Sequence, residues 1–325
     1  MSELDQILEL WRVTQRAGES AVLATVVRTQ GSSYRLPGAR LLLTRAGQRA
    51  GSISGGCLEH DLVSKAWWLT EAGPTLRRYD TTPEGEIGSG FGLGCNGIVH
   101  VLLERLEPGQ RNMLDTIEEV HRDRCALTLE HTLPGGGRFV ETITPPIRLL
   151  IFGAGDDAIP LTVLARYLGW LVEVYDGRAH YARTDKFPLA NRVSIRTPGA
   201  GLLSVDDWTV AVLMSHSYSQ DLDVLRELAS NPPRYVGVLG PRKRSDALLQ
   251  EAGVDVRRLE SVLHAPMGLD IGADGPQQVA IATIAEIQAK LSHREGGELR
   301  KRGGSIHARD DMPEPAFSVR SIVCA

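Results

Sequence analysis

Residues 147–176 constrain the fold of this chain more than any other stretch. Ile147-Arg-Leu-Leu-Ile-Phe152 is an apolar run with the character of a buried strand, and it ends in Gly153-Ala-Gly155-Asp-Asp-Ala158. Leu161, Leu164, Ala165 and Leu168 then recur at helical spacing, Leu171 to Tyr175 forms a second apolar run, and Asp176 closes it. Strand, Gly-x-Gly-x-x-Ala, helix, strand and acid is the order in which a βαβ unit holds a dinucleotide. The glycines let the backbone turn and approach a pyrophosphate at the helix N-terminus, and the acid takes a ribose hydroxyl. The expected fold of this half is therefore Rossmann-like, a doubly wound parallel sheet. Its ligand is less constrained. Asp156 and Asp157 fall in the first helical turn, where they suit the helix dipole and repel a pyrophosphate.

The same rhythm continues downstream. Thr209 to Met214 is an apolar strand ending in Ser215-His216-Ser217, and Tyr235 to Leu239 is another, running into Gly240-Pro-Arg242-Lys243-Arg244. Three cations at a helix start oppose the dipole, so they point either to an anion nearby or to a solvated basic turn. His264 to Gly272 reads as a loop, and Pro276 opens a helix to about Leu291. Gly153, Asp176, His216 and Gly240 all fall at carboxyl ends of strands, where doubly wound sheets bind ligands.

The first half has a different texture. Leu4, Ile7, Leu8 and Trp11 mark an amphipathic helix over 3–17, followed by strands at Ala21–Val27 and Arg40–Thr44. The Gln30-Gly-Ser-Ser-Tyr34 loop is either a polar ligand wall or a plain turn. Gly51-Ser-Ile-Ser-Gly55-Gly56-Cys57 leads into Leu58, Leu62, Ala66 and Leu69 at helical spacing, which puts Cys57 in a first helical turn. A thiol at a helix N-terminus ionises below its free value of about 8.5. The alternative is a buried cysteine at a tight turn. A second cysteine, in Gly94-Cys95-Asn96-Gly97, ends a glycine-rich stretch and precedes the strand Ile98–Leu103. Cys57 and Cys95 are thus candidates for one shared site and for metal ligation. Zinc would need two further ligands; His60 is one candidate and no fourth presents itself. Residues 111–122 read as a helix, 126–131 and 139–143 as a hairpin, and Pro145-Pro146 as a domain boundary. The expected organisation is a mixed α/β domain over 1–145, the Rossmann-like domain over 146–292 and a polar tail over 293–325.

Composition narrows the function classes. A net charge of −4 over 325 residues carries no nucleic-acid footprint. There is no apolar run long enough for a membrane helix, and Met1-Ser-Glu-Leu-Asp lacks the basic start of a signal peptide. Cys57, Cys95, Cys125 and Cys324 are scattered without a CxxC pair, so the expectation is a reducing, cytoplasmic setting, with Cys125 and Cys324 inert.

Taken together, Gly51-Ser-Ile-Ser-Gly-Gly-Cys-Leu-Glu59, Gly94-Cys-Asn-Gly97, Gly153-Ala-Gly155, Val238-Leu-Gly-Pro-Arg-Lys-Arg244, His264-Ala-Pro-Met-Gly-Leu-Asp-Ile-Gly272 and the helix Gly275–Glu286 resemble the XdhC/CoxI family, the accessory proteins of molybdenum-hydroxylase maturation. The resemblance spans residues 20 to 290. It implies a protein that binds a molybdopterin-type molybdenum cofactor, supports its sulfuration and delivers it to a hydroxylase of the xanthine or carbon monoxide dehydrogenase type. It also implies a cysteine desulfurase and the apoenzyme as partners, and a homodimer. Relatives often carry His after the second glycine, where this chain has Asp156. On this reading Cys57 is the principal thiolate, with Cys95 beside it. Gly55, Gly56, Asn96 and the Arg242, Lys243, Arg244 cluster grip the cofactor. A second reading, from another class, is an NAD(P)-dependent oxidoreductase. There Gly153 and Gly155 carry the cofactor, Asp176 binds ribose and His216 is the acid/base.

Overall fold

The computed structural model describes residues 2–31, 33–80, 97–197, 204–253 and 258–303. They form two compact units that meet in sequence at Pro145 and Pro146.

In the first unit, strands β1 (Ala21–Gly31), β2 (Arg40–Thr44), β3 (Arg49–Gly51), β4 (Thr75–Asp80) and β5 (Gly97–Leu106) form one sheet in the order β3-β2-β1-β5-β4. Every neighbouring pair is antiparallel. β1 is apolar without alternation because it is covered on both faces. Val22, Ala24 and Val26 pack with Leu58, Leu62 and Ala66 of helix α2 (Cys57–Leu69). Ala21 and Leu23 pack with Ile7, Leu8 and Trp11 of α1 (Glu3–Arg16) and with Leu114 and Ile117 of α3 (Met113–Asp123). Reciprocal caps stop both helices from fraying: Ser2 with Asp5 on α1, and Asn112 with Asp115 on α3. The hairpin of β6 (Leu127–Thr132) and β7 (Arg138–Ile143) is fastened to β2 by Arg40, whose Nη2 lies 2.6 Å from both carboxylate oxygens of Glu141. Gly51 ends β3 with φ +83°; a Cβ there would fall 2.3 Å from the Arg40 carbonyl oxygen, so only glycine fits.

The second unit is a six-stranded sheet in the order β10-β9-β8-β11-β12-β13, parallel throughout. Its strands are β8 (Arg148–Phe152), β9 (Leu171–Asp176), β10 (Arg192–Ile195), β11 (Thr209–Leu213), β12 (Val236–Val238) and β13 (Leu263–His264). Leu149 and Ile151 face α4 (Ala158–Tyr167) and α7 (Pro276–Leu291). Leu150 and Phe152 face α5 (Tyr218–Ser230) and α6 (Arg242–Ala252). Helices thus cover both faces, which is the doubly wound arrangement. Strand order reverses between β8 and β11, and the crevice beyond their carboxyl ends is where such sheets place ligands.

Candidate functional site

The turn before Cys57 is built around a carboxylate. Glu59 is 3 % exposed, and its Oε1 accepts hydrogen bonds from Ser52 Oγ and from the N–H groups of Ile53 and Ser54, each at 2.9 Å. Its Oε2 accepts from the Gly56 N–H at 2.8 Å and from the Ser54 hydroxyl. Burial works to raise the pKa of Glu59, but the bonds from Ser54 and from the Ile53 and Ser54 amides outweigh it and hold it at about 2. The loop closes further through Gly55 N–H to Ser52 Oγ (3.1 Å) and Leu58 N–H to Ser54 Oγ (2.9 Å). The glycine-rich sequence predicts that the amides of this turn grip an anionic ligand. Those of residues 53, 54 and 56 instead bind the chain's own anion. Gly55 and Gly56 have φ of +86° and +127°. The ring of Tyr34 lies across Gly55, within 3.3 Å of where a Cβ would stand, and is itself 67 % exposed. Among the described residues, a Cβ on Gly56, the residue before Cys57 at the start of α2, would meet nothing within 4 Å. Glu59 had no assigned role from sequence, although an acid three residues into a helix is a capping signal.

Cys95 and Asn96 lie outside the described residues. Cys125, read as an inert thiol, is disulfide-bonded.

At the carboxyl edge of the parallel sheet, the glycine corner is filled from within. Gly153 has φ +125°, and a Cβ there would fall 2.3 Å from the Met214 carbonyl oxygen, so its glycine is demanded by β11. A Cβ on Gly155 would meet Asp157 Oδ1 at 2.5 Å. That oxygen is buried without a hydrogen-bond partner among the described residues, while Asp157 Oδ2 pairs with His216 Nε2 at 2.8 Å. Asp156 pairs with Lys186 at 2.8 Å, and Lys186 also donates to the Ala154 carbonyl. Asp176, 2 % exposed, accepts four hydrogen bonds: from the Ala154 N–H and from Arg178 N, Nε and Nη2, all at 2.8–2.9 Å. Burial pushes its pKa up; the bonds from Arg178 and Ala154 outweigh it and leave the carboxyl below its usual value. Arg178 also donates to the Ser215 carbonyl, tying β9 to β11. The spacing predicts a ribose contact for Asp176, but these bonds take up its acceptors. The corner where a pyrophosphate would rest carries Asp157 instead.

The basic turn does have an anion beside it, and that anion belongs to the protein. Arg244 Nη2 donates to Asp221 Oδ2 at 2.7 Å, and Asp221, 1 % exposed, also accepts from Ser215 Oγ at 2.6 Å. Arg244 therefore clamps α6 to α5, while Arg242 and Lys243 are exposed at the start of α6. On the other face, Glu286 of α7 accepts from Tyr235 OH (2.6 Å) and the Gly268 N–H (2.8 Å), and pairs with His264 Nδ1 (3.1 Å). Tyr235 stacks on the His264 ring with centroids 4.5 Å apart. Burial would raise the pKa of Glu286, but the bonds from His264, Tyr235 and Gly268 hold it at about 2. The motif around His264 is thus pinned to the sheet by one buried carboxylate.

The fold and these two turns define the class. Residues 149–287 match the XdhC Rossmann domain and residues 14–80 match the XdhC and CoxI family. The chain belongs to the XdhC and CoxI family. It is 31 % identical to a probable xanthine dehydrogenase subunit of Bacillus subtilis (strain 168), over 83 % of this chain and 92 % of that protein. It is 24 % identical to the molybdenum cofactor insertion chaperone PaoD of Escherichia coli (strain K12), over 86 % of each. Among solved structures, a xanthine dehydrogenase from Bacillus halodurans superposes with a TM-score of 0.79 at 27 % identity, over 93 % of this chain and 98 % of that one. Among the described residues no helix is long and apolar enough to cross a membrane.

Proposed function

We propose that this chain is a maturation factor that binds a molybdopterin-type molybdenum cofactor, keeps it available for sulfuration by a cysteine desulfurase and hands it to a molybdenum-hydroxylase apoenzyme. The observation that carries this reading is similarity along most of the chain to a molybdenum cofactor insertion chaperone, within the family to which the chain belongs. When bound, the cofactor supplies the molybdenum–sulfur centre on which the client's chemistry depends. In this reading Cys57 holds the sulfur-bearing end of the cofactor, since a thiolate is a soft ligand suited to it, and Cys95 joins it. What supports a soft donor at this place is that α2 opens at Cys57, that a Cβ on the preceding Gly56 would meet no described atom within 4 Å, and that Tyr34 offers an exposed ring face one glycine away. The neighbouring amides favour no phosphate, because Glu59 already holds them. Arg242 and Lys243, exposed in the first turn of α6, are the cations left for an anionic group. The NAD(P) reading has less support, since Asp176 and the glycine corner are occupied by the chain's own side chains. A homodimer accords with the family resemblance.

The test is elemental. Protein purified from cofactor-producing cells carries molybdenum, and Cys57→Ser lowers the molybdenum content roughly ten-fold or more, as loss of a ligand should. In the wild type, bound cofactor also slows alkylation of Cys57 at pH 6–7. A Cys57→Ser protein that retains full molybdenum and still activates its client overturns the assignment.

A further inference from the structure

A shallow, solvent-open cleft lies in the second unit between the carboxyl ends of β8, β9 and β10 and the first turns of α5. It lies on the sheet face away from α4. Phe152 and Tyr175 form its apolar wall, their rings nearly parallel with centroids 5.6 Å apart. Most of its charged groups are already matched: Arg196 pairs with Glu227, and Asp176 with Arg178. Two groups are not. Asp223 lines the cleft, and its carboxylate has no hydrogen bond or ion pair among the described residues. Gln220 lines it too, and its orientation is fixed. Gln220 Oε1 accepts the Gly177 N–H at 3.0 Å, and a Cβ on Gly177 would sit 3.2 Å from that oxygen and 3.3 Å from the Arg196 carbonyl. Since the amide oxygen must face that donor, Nε2 is the end left over, a donor without a protein partner among the described residues.

Gln220 and Asp223 are three residues apart on one helix, so they stand side by side. Together they present a donor next to an anionic acceptor, beside an aromatic wall. We propose that this cleft binds the amino-bearing edge of a planar heteroaromatic ring. The ring nitrogen accepts from Gln220 Nε2, and the adjacent exocyclic amine donates to Asp223. A ring with a carbonyl in place of that amine sets oxygen against carboxylate and is rejected, because a site built around one polar partner leaves its own group unpaired when that partner is missing. The unpaired charge is negative, so a phosphate belongs outside the cleft. The ligand does not extend across the glycine corner, which Asp157 and His216 fill. Two sources share this chemistry: a cytosine or adenine nucleoside, and a 2-aminopterin.

The test is calorimetric titration of the full chain with CMP, UMP, AMP, IMP, NAD⁺ and 2-amino-4-oxopterin. If a nucleoside is the natural source, CMP binds about ten-fold or more tightly than UMP, and AMP than IMP. NAD⁺ then gains nothing over AMP. If the pterin is the source, it binds, and any nucleotide that binds competes with it. In both cases Asp223→Asn, a change at a partly exposed helix position, removes the preference for the amino form while thermal unfolding stays at the wild-type temperature. Gln220→Leu weakens every amino-bearing ring. Equal affinity for amino and oxo rings, a preference that survives Asp223→Asn, NAD⁺ binding more tightly than AMP, or no binding by any of these rings would each overturn the proposal. The inference is independent of cofactor delivery, which the molybdenum content of Cys57→Ser tests separately.

Discussion

Replacing Glu59 by glutamine destabilises the first unit by about 3 kcal/mol, the free energy that corresponds to a carboxyl moved from 4.5 to about 2. The substitution keeps the shape and removes the charge, and it turns an NH₂ group toward donors that need an acceptor. Urea unfolding followed through Trp11, 1 % exposed in the first unit, reports the loss, whereas Trp170 in the second unit reports no change. The pH dependence has a definite sign. The folded pKa is lowered, so the contribution of Glu59 is complete above pH 4.5 and drains away as pH falls from 4.5 toward about 2. A Glu59→Gln protein that unfolds at the wild-type urea concentration, with the same acid limb, refutes the role given to this residue.

Glu286→Ala has the larger cost, about 3–5 kcal/mol, because it orphans several partners at once. The Tyr235 hydroxyl, on a side chain with no exposure, and the Gly268 N–H both lose their acceptor, and His264 Nδ1 loses its partner. For a unit of this size the melting temperature drops by about 10 °C. Removing the orphan restores part of it: Tyr235→Phe combined with Glu286→Leu melts above Glu286→Ala, since an apolar pair leaves no buried hydroxyl unpaired. If the double variant melts below Glu286→Ala, the carboxylate is not what the tyrosine needs.

What could be read in advance follows from how far each feature reaches along the chain. β1 and β8 are covered on both faces, so each announces itself as an unbroken apolar run, and the glycines at 153 and 155 announce a turn. The edge strand Arg192–Ile195 has four residues, two of them exposed, and gives no comparable pattern. The site is harder to read than the fold because its partners are remote in sequence. Asp221 and Arg244 are 23 residues apart and Tyr235 and Glu286 are 51 apart, so no local spacing reveals that each pair consumes a charge. The fingerprint at 153–176 led to the right sheet; how Asp176 is held lies beyond it. Arg178, two residues on, decides the matter, and nothing in the order Asp-Gly-Arg says that its guanidinium folds back. Glu59 is intermediate. Its distance from Gly56 signals a cap, but the contribution of Ser52 and Ser54 shows only when the turn is closed.

The turn around Glu59 also bears on the cargo traffic proposed for the neighbouring cysteine. Many anion-binding loops stay loose until their guest arrives, and they spend part of the binding free energy on setting. This loop sets during folding, around a carboxylate that never leaves. On the proposed function, cargo arriving at Cys57 would meet a seat already in its final shape, and cargo departing would leave the same seat behind. Neither loading nor unloading then includes a step in which the loop must order or melt, so how long the cargo stays is governed by its direct contacts alone. A carrier built this way can be tuned to hold loosely or tightly by changing what faces the cargo, without disturbing the part that positions the thiol.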